Sequence, residues 1–227
     1  MKLEKITKKI FNIKYPTQKE LSSAFLRFQG HYESPKFRGK FFTLYEFKKW
    51  YICNSIGGEK TGKFTYYQDW GGFNIPSHIL SPFYSGKFDP LSKKEKRILD
   101  LFESKKNENF YIIGTFQQFF NICRKDYFFN LQHEIAHGLF YTNSDYKKEI
   151  LNILDKINPE IKQELKNNLK KIGYHSDVLI DEMQAYLMNE PESFDDIIQN
   201  DIQKRTKKYK KLNEIFDKYF KLEKLIN

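Results

Sequence analysis

The stretch from Asn130 to Tyr141 constrains the fold most, because it joins the periodicity of a core helix to groups that resist burial. Leu131, Ile135, Ala136, Leu139 and Phe140 recur at the spacing of a helix packed into an apolar interior. Within the same turns stand His133, Glu134 and His137, in the pattern His-Glu-x-x-His. Positions i and i+4 lie one above the other on a helix, so the two imidazoles converge on one point. Two imidazoles and a carboxylate taken out of water need partners that offset their desolvation. A metal ion held by His133 and His137 is such a partner, with positions left open for water and Glu134 beside that water as a base. A histidine pair hydrogen-bonded within the core is the competing reading.

Around this helix the periodicities predict an α+β chain, mainly helical, with a small sheet next to the histidine helix and a helical C-terminal part. The 227 residues suffice for a substantial core, and no repeat or low-complexity linker divides them. The whole of 1–227 therefore reads as one domain, with an α+β part to about 128 and a helical part from about 129. Thr17 to Glu20 forms a capping-box pattern opening a helix to about Gln29, and Ser34-Pro35 breaks it. A second helix is expected behind Thr43, and a third from Ser92 to about Ser104. Gly57, Gly58 and Gly62 mark turns around an expected short strand, Lys63 to Gln68, and Asp69 to Pro76 reads as an ordered loop suited to lining a cleft. Phe110 to Phe116 is the strongest strand signal, either an edge strand able to bind an extended peptide or an ordinary core strand. Helices are expected from Ser144 to about Ile157, Pro159 to about Ile172, Ser176 to Asn189, and Ser193 to the C-terminus.

The net charge of +10 raises the question of nucleic acid or an anionic surface. Most of the basic residues are lysines in a chain also rich in Asn, Ile, Phe and Tyr, a bias of the kind an AT-rich genome produces. No basic run is interleaved with exposed aromatics on a nucleic-acid fold, and Lys207 to Lys211 reads as a solvated helix face. Cys53 and Cys123 have no zinc-ribbon or redox spacing. The basic arm Met1 to Tyr15 lacks the apolar core of a signal peptide, and no stretch is long enough to span a membrane. A reduced, cytoplasmic protein is expected.

A catalytic zinc takes three protein ligands and a water. The extended pattern with a downstream glycine and third histidine fails at Phe140 and Asn143, so the third ligand must come from another element. Asp181 and Glu182 interrupt the apolar run of Ile180, Met183, Ala185, Leu187 and Met188, and a buried acid needs a cation or donors. Glu182 is the candidate ligand, with Asp181 and His175 as rivals. A donor for the oxyanion formed when water attacks a carbonyl would come from Tyr186, Tyr141 or Tyr111, with Tyr186 preferred because it lies one turn from Glu182.

His133-Glu134-x-x-His137 followed by a separate helix with Glu182-x-x-Ala185-Tyr186 resembles the gluzincin group of zinc metallopeptidases. The resemblance covers these two helices. It implies a zincin-like fold and one zinc ion per chain on His133, His137 and Glu182, with Glu134 as general base and a peptide or protein as substrate. Thermolysin-like members carry an aspartate four residues after the ligand glutamate to orient a histidine; Tyr186 stands there in this chain, and the orienting task falls to another residue such as Asp181. Two longer blocks, Tyr32 to Gly39 and His133 to Thr142, are similar to a small microbial family and fix no substrate. The expected chemistry is hydrolysis of an amide by a zinc-activated water, with Glu134 moving its proton to the leaving amine. The alternative is a non-catalytic protein, zinc-containing or basic, that docks an acidic partner or nucleic acid.

Overall fold

The computed structural model describes residues 1–118, 123–189 and 202–225. It is mainly helical around one small sheet. Strands β1 (Lys2–Lys5), β2 (Ile10–Tyr15), β3 (Phe73–Pro76) and β4 (Tyr111–Phe116) form a four-stranded sheet in the order β1-β2-β4-β3. The β1–β2 and β3–β4 pairs are antiparallel, whereas β2 and β4 run parallel with Ile10 opposite Tyr111. Side chains alternate across a strand, and over β2, β3 and β4 both faces are buried, while β1 is largely exposed. Phe11, Ile13, Phe73, Ile75 and Ile112 enter an aromatic-rich core on one face, while Ile10, Tyr111 and Ile113 enter a second core on the other.

Helix α1 (Gln18–Glu33) packs on the first face, with the Thr17 side chain accepting from the Glu20 N–H at its start. Gly114 makes that approach possible, since a Cβ there would meet Leu21 Cδ1 at 2.6 Å. Helices α2 (Leu44–Asn54) and α4 (Lys93–Phe102) open on capping boxes at Thr43/Glu46 and Ser92/Glu95, and α3 (Ile56–Thr61) lies between them in the chain. On the other face lie α5 (Arg124–Thr142), α6 (Ser144–Leu154), α7 (Pro159–Lys171), α8 (Leu179–Asn189) and α9 (Ile202–Tyr219). Gly138 lets α5 sit tightly against β2, because a Cβ there would come within 2.9 Å of Ile10 Cδ1.

Three local expectations are corrected. No strand forms over Lys63 to Gln68; instead α3 encloses Gly57 and Gly58, and a short helical turn covers Tyr66–Asp69. The glycines serve close packing rather than a turn, since a Cβ on Gly58 would lie 2.6 Å from the Ile52 carbonyl oxygen, while Gly62 ends the helix at φ 66°. The second half of the expected Asp69 to Pro76 loop pairs with β4 as strand β3. Finally, β4 is interior: β2 and β3 flank it, so the edge-strand reading of Phe110 to Phe116 does not hold.

The helix ends follow local chemistry. Gly173, at φ 109°, lies just past α7, and Ser176–Val178 forms a tight turn leading into α8. The expected C-terminal helix is seen from Ile202, its beginning at Ser193 lying outside the described residues. Lys210 and Lys211 are exposed on it, as a solvated face requires, and the side chains of Lys207 and Lys208 are outside the described set. Cys53 and Cys123 are free thiols. Among the described residues no helix is long and apolar enough to cross a membrane.

Candidate metal centre

Helices α5 and α8 bring the site together. The apolar stripe of α5, Leu131, Ile135, Ala136 and Leu139, is buried in the second core and fixes the rotation of the helix. His133, Glu134 and His137 are then carried into the interior, all less than a tenth exposed. Met183, Ala185, Leu187 and Met188 anchor α8 in the same core, and Glu182 is buried to 1% exposure against α5.

His133 Nε2 lies 3.1 Å from His137 Nε2, and Glu182 Oε2 stands 3.8 Å and 3.6 Å from them. Ligand atoms around a tetrahedral zinc, at about 2.0–2.2 Å from the ion, are separated by roughly 3.3–3.6 Å. The three atoms come within a few tenths of an ångström of that spacing; the two ring nitrogens, at 3.1 Å, are also in hydrogen-bond contact, as in the competing reading of a core histidine pair, whereas Glu182 Oε2 has no hydrogen-bond partner among the described residues. His133, His137 and Glu182 are also the group of metal-ligating side chains found among those residues. The rivals lie elsewhere. Asp181 Oδ1 contacts the opposite ring nitrogen, His137 Nδ1, at 2.8 Å, where a carboxylate orients an imidazole rather than sharing its metal. His175 accepts from the Asp177 N–H through Nδ1 and so caps the turn before α8.

Glu134 is held from two directions. The Asn74 side chain lies close enough to favour its charged form, and Asn74 Oδ1 accepts from the Tyr111 hydroxyl at 2.5 Å. Gly72 makes room for it, since a Cβ there would meet Glu134 Oε1 at 2.4 Å. The other carboxylate oxygen, Oε2, is buried without a partner. Glu134 and His133 line a cavity of about 600 Å³ with Gly72, Asn74, Tyr174 and Tyr186. Of the tyrosines weighed for the oxyanion, Tyr186 is the one on this wall, its ring edge-on to His133 with centroids 4.9 Å apart. Its hydroxyl is 3.2 Å from that of Tyr174, a neighbour that favours the charged form of Glu182. Tyr111 is committed to Asn74, and Tyr141 faces His78 at 3.1 Å.

The electrostatics reflect crowding of buried acids and bases. Burial, with the neighbouring His137 adding to it, holds His133 well below its ordinary value, which keeps the imidazole neutral and fit to ligate. Burial also opposes charge on His137, but Asp181, Glu182 and Glu134 outweigh it and hold that ring well above its ordinary value. Burial raises Glu134 to about 7 and Glu182 to about 8, against the opposing pull of His137. In the metal-free protein, protons occupy a site whose geometry suits a cation.

Asn74, Gly72, Tyr174 and Glu33 line the same cavity and were not singled out by sequence reasoning as site residues. The first two fall in the Asp69 to Pro76 segment expected to line a cleft, and Tyr174 follows the glycine that ends α7. No local signal marks Glu33. Compared with family models, curated proteins and solved structures, the chain finds no match, so its assignment rests on the geometry of this centre.

Proposed function

We propose that the protein is a zinc-dependent hydrolase of zincin-like architecture that cleaves peptide bonds. One observation carries the reading: the ligand atoms of His133, His137 and Glu182 gather within 4.8 Å of one another, and His133 shares a cavity wall with Glu134, whose buried Oε2 is unpartnered among the described residues. His133 Nε2, His137 Nε2 and Glu182 Oε2 would hold the ion, with Asp181 orienting His137. Bound there, zinc supplies Lewis acidity and brings the pKa of a water to about 7. Glu134 accepts the proton of the attacking water at Oε2 while Asn74 and Gly72 keep its other end in place. The same carboxyl group then returns the proton to the leaving amine. Tyr186, on the wall beside His133, donates to the carbonyl oxygen as charge develops there. Strand β3, an outer strand whose Phe73 and Asn74 line the cavity, offers backbone groups to an extended peptide.

Metal content by mass spectrometry, run on the wild type beside His137→Ala and Glu182→Ala, tests the centre. One zinc per chain is expected in the wild type and little in either variant. Glu134→Gln should keep the zinc and lose about 10²–10⁴-fold in turnover of a peptide library. A wild type that takes up no zinc when incubated with it would sink the proposal and favour a non-catalytic binding protein.

A further inference from the structure

Glu33 ends α1 and lines the cavity together with His133 and Glu134, yet it lies outside the group of metal-ligating side chains. It is 8% exposed, and its Oε2 accepts from Gln29 Nε2 at 2.5 Å. Its Oε1 is buried with no hydrogen-bond partner among the described residues. The C-terminal end of a helix is the unfavourable end for an anion. Burial raises its pKa well above the ordinary range, Glu182 adds to this, and the charge of His137 only partly offsets them. With Oε1 unpartnered among the described residues and the charge of His137 offsetting its burial only in part, this carboxyl group costs stability unless something entering the cavity completes it. The nearby cavity wall is aromatic, with Phe47, Trp50, Tyr51 and Trp70, and aromatic faces attract an organic cation.

We propose that Glu33 is a specificity residue that receives a primary ammonium group of the substrate within the aromatic part of the cavity. The choice of a peptide as ligand rests on the hydrolase reading. Two sources carry this chemistry, the α-amine of an N-terminal residue and the side chain of lysine. In the first case the enzyme would trim peptides from their free N-terminus, and in the second it would select lysine near the cleaved bond.

Binding separates the two without requiring turnover. The zinc-loaded Glu134→Gln protein is titrated calorimetrically with a tripeptide amide bearing a free N-terminus, its N-acetylated form, and N-acetylated forms with lysine or norleucine at one position. One ammonium-bearing peptide should bind about tenfold or more tightly than its neutral counterpart, as for a hydrogen bond to a charged group. Adding Glu33→Gln should erase that difference while zinc content stays the same and the thermal transition does not fall. Should that variant fail to fold, Gln29→Met, which removes the donor holding Oε2, should shrink the preference severalfold in the same titration. A preference that survives these changes, equal binding of charged and neutral peptides, or no peptide binding at all overturns the assignment. Loss of the preference in Glu33→Gln, with no peptide cleaved by the zinc-loaded wild type, would uphold Glu33 and overturn the hydrolase. Cleavage at equal kcat/KM of charged and neutral peptides by wild type and Glu33→Gln would do the reverse.

Discussion

On the α1 face of the sheet, buried Glu95 and half-buried Arg27 form a closed pair, whereas on the α5 face the histidines and glutamates are buried as an open cluster. Arg27 donates Nε and an Nη to the two oxygens of Glu95 at 2.6 Å each, and its other Nη to the Phe88 carbonyl at 2.9 Å. Glu95 also accepts from the Ser92 N–H at 2.7 Å, so the ion pair doubles as the cap of α4. At the candidate metal centre, by contrast, His133 Nδ1, His137 Nδ1, Glu134 Oε2 and Glu182 Oε2 are buried without a well-aligned hydrogen bond among the described residues, although Asp181 Oδ1 lies 2.8 Å from His137 Nδ1. Both clusters bear the desolvation cost of buried charge. Among the described residues the first offsets it fully within the chain, the second only in part, through Asp181 beside His137. This difference supports the proposed centre: the first cluster is satisfied by its own neighbours, while the second gathers several unpartnered ligand-type atoms at one point, where a cation would complete them.

Breaking the closed pair should have the largest effect on stability. Arg27→Met leaves Glu95 buried without its cation and should cost about 3–5 kcal/mol in urea unfolding, with zinc stoichiometry unchanged. A loss below about 1 kcal/mol, or a loss of zinc as well, would mean that the two clusters are not distinct in kind.

The open cluster should show itself through pH. Glu134 and Glu182 have folded-state values of about 7 and about 8 against an ordinary 4.5. The folded metal-free protein therefore holds protons that the unfolded chain releases, and its stability falls as pH rises from about 4.5 through 8. His137, also raised, acts in the same direction, while His133, lowered, opposes it only below its ordinary value of 6.5. Between pH 6.5 and 8 the metal-free protein should lose a few kcal/mol, to order of magnitude. Zinc, which requires the deprotonated ligands, should remove or reverse that slope. Thermal melts with chelator and with zinc at the two pH values decide it; parallel slopes would contradict the metal reading.

The smallest effect sharpens the comparison inside the open cluster. Asp181→Asn keeps the shape beside His137 Nδ1 but removes the charge, and should weaken zinc about 10–100-fold by competition with a chelating dye. Retention of full affinity would make Asp181 a bystander.

Much of this architecture is legible locally. The caps at Thr17, Thr43 and Ser92, the glycine stop at Gly173 and the apolar stripe of α5 rest on contacts within a few residues, and they place most helices and the His133/His137 pair without knowledge of the rest. The sheet is different. Its β2 and β4 strands pair residues about a hundred positions apart, and β2 comes from a lysine-interrupted arm whose buried face appears only once β4 and α5 cover it.

The site divides along the same line. By itself the sequence determined that two histidines and a glutamate share one helix, and that a second apolar helix carries adjacent acids. Which acid faces the two Nε2 atoms and which the far side of His137 was decided by the packing of α8 on α5, because neighbours on a helix point about 100° apart and either could have taken either place. Only the tertiary structure brought Asn74 and Gly72 to Glu134 and set Glu33 into the same cavity. Those juxtapositions depend on strand register and on the close of a distant helix, interactions that no local stretch of sequence encodes.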